Sequence, residues 1–366
     1  MKQWTLIFFL ASALPIFQAT DSSARRTHLT PEQKTHLAQA NVVLVNVLAL
    51  TEKGRMDPGS LQKVITRRLG EIGYTVTTDH TQAHDVVFKV KCEERKTWTG
   101  TTPEGGDAEL ADAPARLWKG PACLFTYVLG GENLGWYKEV RTEFEDAMEA
   151  AQVAKASDSG AYALQQLTLK LEEYDFPISV TAEWGQVNRL LQVLDSPETP
   201  KLRKLKILSI LNELQAAEAL PHLTEIMKEK DLAEEAIVAL AGVGRDSIPL
   251  LIDLFNTSKQ PEIQAAAAKA LGGVAATTGD PRTIPPLVKY LENALKNMNT
   301  SADINFPVLT QVVWAIGKLR DDISMEPVEE LNEKVWLIYD TSQEMTDLRE
   351  ASSWTWKQLD LDAMAT

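Results

Sequence analysis

Apolar and polar residues follow two different rhythms along this chain, and the change of rhythm divides it. From 30 to 176 the dominant period is two. The runs 41–48, 74–78, 85–92, 123–129 and 135–142 are rich in β-branched and aromatic residues and read as strands. Helical spacing interrupts them. Thr30-Pro31-Glu32-Gln33 has the form of a capping box that opens a short helix, and Leu61, Val64, Ile65 and Leu69 fall on one face of another. A closing helical stretch is expected over 146–173, stopped at Tyr174-Asp175-Phe176-Pro177. Gly130-Gly131-Glu132-Asn133 is a hairpin signal, and 93–120 predicts a long loop.

From 201 to 362 the rhythm is helical and one short signature returns five times, each copy closing a helix on adjacent small or apolar residues. The copies end at Leu214, Val243, Val274, Leu319 and Leu359, so the steps between them are 29, 31, 45 and 40 residues. After each copy but the last comes a second helix with proline in its first turn: Leu220-Pro221, Ile248-Pro249, Ile284-Pro285 and Met325-Glu326-Pro327. An internal repeat of this length means a helical solenoid. The expected fold is α+β overall: a signal peptide over 1–20, a small sandwich-like α/β domain over 30–176, a junction with a capping helix over 177–200, and an all-α solenoid over 201–362.

The signatures carry a resemblance. Ala270-Leu271-Gly272-Gly273-Val274 leading to Gly279-Asp280-Pro281-Arg282-Thr283-Ile284-Pro285, and Gly244-Arg245-Asp246-Ser247-Ile248-Pro249, resemble the HEAT-repeat family in its short, phycobilisome-lyase-type form. Small residues there let paired helices approach, and Asp246 or Asp280 can stabilise the start of the next helix. The likeness implies a binding scaffold whose second helices line a concave face. The outward row on those helices is Glu225, Asp253, Lys289 and Glu330. It reads either as a docking ridge for a basic or polar protein partner or as a solvated helix face.

Composition narrows the function classes. With 44% hydrophobic and 24% charged residues the chain has the make-up of an ordinary globular protein. A net charge of -14 argues against a nucleic-acid partner, since phosphate binding needs clustered Lys and Arg. Lys2 followed by an apolar run from Leu6 to Phe17 and a small-residue exit has the organisation of a cleaved secretory signal, too short to span a bilayer. Periplasmic or secreted localisation is therefore expected, with no membrane span after signal removal. The two cysteines, Cys92 and Cys123, fall on the apolar faces of their strands, where one disulfide is the simplest expectation.

Candidate chemistry is sparse. Asp79-His80-Thr81-Gln82-Ala83-His84-Asp85 offers His80 and His84 as metal ligands, although a polar turn accounts for the same residues. Trp98, Trp118 and Trp136 form an aromatic set that suits either a ligand loop or the cover of a small core. No catalytic motif or phosphate-binding loop is present, and no cofactor is expected. The reading is a non-enzymatic, exported interaction scaffold. A ligand- or metal-binding module in the amino-terminal domain, and a tetrapyrrole lyase or isomerase suggested only by the family likeness, are the alternatives.

Overall fold

A computed structural model describes residues 29–100, 116–134 and 138–363; the expected signal peptide and Trp136 lie outside the described residues. The chain divides into two compact units. Among the described residues, the first comprises those up to His36, 40–67 and 74–174, and the second comprises 37–39, 68–73 and the chain from Asp175 onward.

The first unit is built on one mixed sheet. α1 (Pro31–Gln39) opens with a reciprocal capping box in which Thr30 N donates to Gln33 Oε1 and Gln33 N donates to Thr30 Oγ1. There follow β1 (Val42–Thr51), β2 (Gly54–Met56), α2 (Gly59–Gly70), β3 (Thr75–Thr77), β4 (Val86–Gly100), β5 (Arg116–Leu129), β6 (Glu132–Asn133) and β7 (Lys138–Arg141). The strand order is β2-β1-β4-β5-β6, with β3 also on β1 and β7 also on β5. β1 runs parallel to β3 and β4, which requires the crossover through α2; the other pairings are antiparallel. The alternation of Val86, Phe88, Val90 and Cys92 and of Cys123, Phe125 and Tyr127 delivers one buried face, where the Phe88 and Phe125 rings lie 5.5 Å apart.

Cys92 and Cys123 are register partners on β4 and β5, fully buried and joined as a disulfide with Cα atoms 3.9 Å apart. Both flanks of the loop expected over 93–120 are strand. β4 continues to Gly100 and β5 begins at Arg116, so Trp98 and Trp118 are opposed residues of an antiparallel ladder rather than parts of a loop. A bulge between Glu93 and Lys96 absorbs one extra residue, and its charged neighbours disguised the strand. The closing helical stretch also differs. It breaks into α3 (Ala147–Val153), capped by Asp146, and α4 (Ser159–Glu173), capped by Asp158 and packed on β4, β5 and β7. The second capping carboxylate, Asp158, lies inside the apolar pattern and restarts the helix there.

The second unit is all helix. Its elements are α5 (Phe176–Glu183), α6 (Val187–Asp195), α7 (Lys201–Glu213), α8 (Leu220–Ile226), α9 (Ala233–Ala239), α10 (Ile248–Thr257), α11 (Pro261–Thr278), α12 (Ile284–Asn297), α13 (Phe306–Leu319), α14 (Met325–Leu337) and α15 (Gln343–Ala363). Helices α7, α9, α11, α13 and α15 pack side by side as one layer, and α8, α10, α12 and α14 form the other. The signature residues Leu240, Leu271 and Ile316 are at most 1% exposed and supply the continuous spine between layers.

The small positions of the signature mark where consecutive first-layer helices touch. A Cβ added at Gly272 would come within 2.7 Å of Ala315 Cβ, and one added at Gly242 within 1.9 Å of Leu211 O. Proline occupies the first turn of α8, α10 and α12, where its missing N–H costs no helical hydrogen bond. Asp280 caps the turn that leads into α12 and accepts from Arg282 N at 3.1 Å, whereas Asp246 makes no such cap and α10 begins after Ser247 without a side-chain hydrogen bond.

The beginning of this unit is pinned by charge. Asp175 accepts from Arg68 Nη2 at 3.0 Å and from Arg203 Nε at 2.8 Å, and Lys206 Nζ donates to the Asp175 carbonyl at 2.8 Å. Gln186 and Arg189 donate to the carbonyls of Leu37 and Ile72, which is why short stretches 37–39 and 68–73 belong with the helices.

Candidate functional site

The turn between β3 and β4 uses its acids for backbone contacts. Asp79 accepts from Thr81 N and Thr81 Oγ1, and Asp85 accepts from Asn41 N at 2.8 Å and Val42 N at 2.7 Å. These hydrogen bonds hold both carboxyls below the usual carboxylate range, with the backbone donors as the largest cause. His80 and His84 are exposed, and His84 Nδ1 lies 2.9 Å from the Gln82 carbonyl. Among the described residues no group of three or more His, Cys, Asp or Glu is arranged to hold a metal ion. Glu94 extends the buried face of β4 past Cys92; its carboxylate accepts from Glu52 N at 2.9 Å and Ser159 Oγ at 2.7 Å.

The expected ridge residues Glu225, Asp253, Lys289 and Glu330 stand exposed on α8, α10, α12 and α14. Two of its three acids are neutralised on their own helices or immediately after them. Glu225 pairs with Lys228 at 2.7 Å and Glu330 with Lys334 at 2.9 Å. What remains of the row is close to electrically balanced.

The other layer has a concavity. Four consecutive first-layer helices, α7, α9, α11 and α13, line a groove of about 540 Å³. Its floor is apolar, made by Leu208, Val238, Ala265 and Ala266, and alanine at 265 and 266 leaves open the space that longer side chains would fill. Asn212 and Gln311 bring amides to the two ends. Glu234, Glu235 and Glu262 stand exposed on the rim, and among the described residues none of the three has an ion-pair partner. All three sit in the first turns of α9 and α11, where the helix dipole favours acids. That accounts for their residue type and leaves their outward oxygens without a protein donor.

The groove's cation is Lys269, two turns along α11 from Glu262. Loss of solvent and, second, the charge of Lys269 hold the Lys318 ammonium below the ordinary lysine value. A second opening, about 630 Å³, lies where α8, α9, α10 and α11 approach their ends and shares Glu234 and Glu262 with the first. The two carboxylates are therefore common to both depressions.

The sequence offered the second-helix row as either a docking ridge or a solvated face. The structure adds a groove on the first-helix layer. Ala265 and Ala266 floor it, and Glu234, Glu235 and Glu262 come together from the first turns of two separate helices, so no single segment of the sequence displays the cluster.

Stacked helix pairs with a small-residue seam define an α-solenoid, and comparison with known proteins specifies which kind. The family model for HEAT repeats matches residues 220–302, and no family model matches the amino-terminal unit. No curated protein matches the sequence. A crystal structure of an engineered protein aligns over 60% of this chain and 98% of its own at 16% identity and a TM-score of 0.32, a likeness too slight to bear on the fold. HEAT repeats generally mediate protein–protein interaction.

Proposed function

We propose that this protein is an exported, non-enzymatic adaptor whose HEAT solenoid holds a protein partner along the first-helix layer. The observation that carries the reading is the apolar-floored groove shared by four consecutive helices. A continuous depression lined by four successive helices suits an elongated polypeptide segment better than a small molecule. The acidic composition and the signal-like first twenty residues support export and a protein rather than nucleic-acid partner.

Affinity capture with cross-linking tests it. Full-length protein and a groove-filled variant, Ser209→Trp with Asn212→Trp, would be compared as baits on the producing cell's envelope and medium. A partner retained by the first and lost by the second is expected. Failure of the native chain to retain any protein above a blank resin would remove the scaffold reading. Intact mass of the mature chain tests export separately: a product lacking the first nineteen or so residues is expected, and an untrimmed amino terminus would exclude signal cleavage.

A further inference from the structure

We infer that the groove on the first-helix layer takes a basic, amphipathic polypeptide segment, with apolar side chains on the Ala265–Ala266 floor and lysine or arginine against Glu234, Glu235 and Glu262. This deepens the adaptor reading and rests on it. Three observations carry the choice of occupant. The floor is apolar and concave, so it rewards side chains that leave water. The rim carries three carboxylates without ion partners, against Lys269 as the cation lining the same groove, and a complementary segment must bring positive charge. Two of the three acids of the rival row on the second helices are already paired with Lys228 and Lys334, and Lys289 balances Asp253, so the row offers a cationic segment little. The net charge of -14 adds long-range attraction for the same class of partner.

The polarity of the groove also sets an orientation. Positive side chains belong against the first turns of α9 and α11, whereas Lys269, two turns further along α11, favours a neutral or acidic residue beside it.

Fluorescence anisotropy with full-length protein decides the matter. The probes are a short labelled peptide of alternating leucine and lysine and its leucine–glutamate counterpart, both at low salt. Saturable binding of the lysine peptide and none of the glutamate peptide is expected. The variant E234K/E235K/E262K should lose affinity by about tenfold or more, from three exposed ion pairs at the usual strength of each. The rival-row variant E225K/D253K/E330K makes the same change of net charge and should alter binding by no more than about twofold. The uncharged Ser209→Trp should weaken binding by filling the groove, which keeps the test open if the triple variant folds poorly.

Equal losses in both charge variants would mean attraction to net charge alone and overturn the proposal. So would unchanged binding in the groove variant, loss only in the rival-row variant, or no saturable binding of the lysine peptide. None of these outcomes touches the adaptor reading, which stands or falls on retention of a native partner; a partner retained with no lysine-peptide binding would leave the adaptor and remove the basic segment.

Discussion

The two units close by opposite means. In the sheet unit the decisive contacts join residues far apart in sequence: β1 pairs with β4 across a helix, and β4 is tied to β5 by a disulfide that spans 31 residues. In the helical unit each element touches its neighbours in the array, and the critical contacts are places where a side chain is missing, at Gly242 and Gly272. One unit depends on constraint of the unfolded chain, the other on backbones allowed to meet. The difference predicts that damage should stay within the unit that receives it.

The largest effect should come from the covalent link. Replacing Cys92 and Cys123 by alanine is expected to cost about 3 to 4 kcal/mol by the loop-entropy estimate. Hydrogen exchange read peptide by peptide should show protection lost over β1, β4 and β5 and unchanged over α9 to α13. Denatured, unreduced wild-type protein should show no titratable thiol. Uniform loss of protection across both units would contradict separate closure.

The counterpart in the solenoid is Gly242→Ala. Its new methyl would meet the Leu211 carbonyl, which belongs to backbone and cannot swing aside, so α7 and the 3-10 segment that follows α9 must separate. A loss of about 3 kcal/mol is expected, at the upper end of the ordinary overpacking range. Here the exchange pattern should invert, with protection lost around α7 and α9 and kept in the sheet. Gly273→Ala is a sharper control: its Cβ would meet only the Ala241 methyl at 2.9 Å, a side-chain contact.

These two sites also show why the sequence was legible where it was. The solenoid announced itself because its rule is local: each copy closes a helix on small or apolar residues, each but the last leads into a helix with an early proline, and the physical reason for each is contained within a repeat. The disulfide was legible from strand parity, which put both thiols on apolar faces. The extension of β4 and β5 through Trp98 and Trp118 was not, because Glu93, Glu94, Arg95 and Lys96 interrupt the apolar alternation and the bulge shifts the register there. The groove was hidden for another reason. It arises from four helices meeting, so no segment contains it, and the alanines that floor it look the same as alanines that merely pack.

A smaller effect is expected at Asp175, where the helical unit uses charge rather than shape. Its carboxylate is 16% exposed and holds Arg68 and Arg203, themselves 8% and 17% exposed. Asp175→Ala leaves two guanidinium groups to rearrange in a partly dry site, and a loss of about 2 to 3 kcal/mol is expected in urea unfolding, below the value for a fully buried pair. A loss under a tenth of that would show that water reaches the site freely.

The smallest effect discriminates the units by pH. Asp280 receives the Arg282 guanidinium at 2.8 and 2.9 Å and the Arg282 amide, and these bonds bring its carboxyl from 3.8 to about 2. In the sheet unit Asp85 is also depressed, by the amides of Val42 and Asn41. A carboxyl whose folded value lies below its unfolded value stabilises the fold when ionised, so each contribution is complete above the unfolded value and is lost as pH falls through the folded one. For Asp280 that window runs from about 4 down to about 2. Asp280→Asn keeps a capping side chain but cannot titrate, so the acid-induced loosening around α11 and α12 should become shallower while that of the β1–β3 region is unchanged. Asp85→Asn should do the reverse. If either substitution flattened both responses, the acid sensitivity of this chain would be a property of the whole molecule and the division into separately closed units would fail.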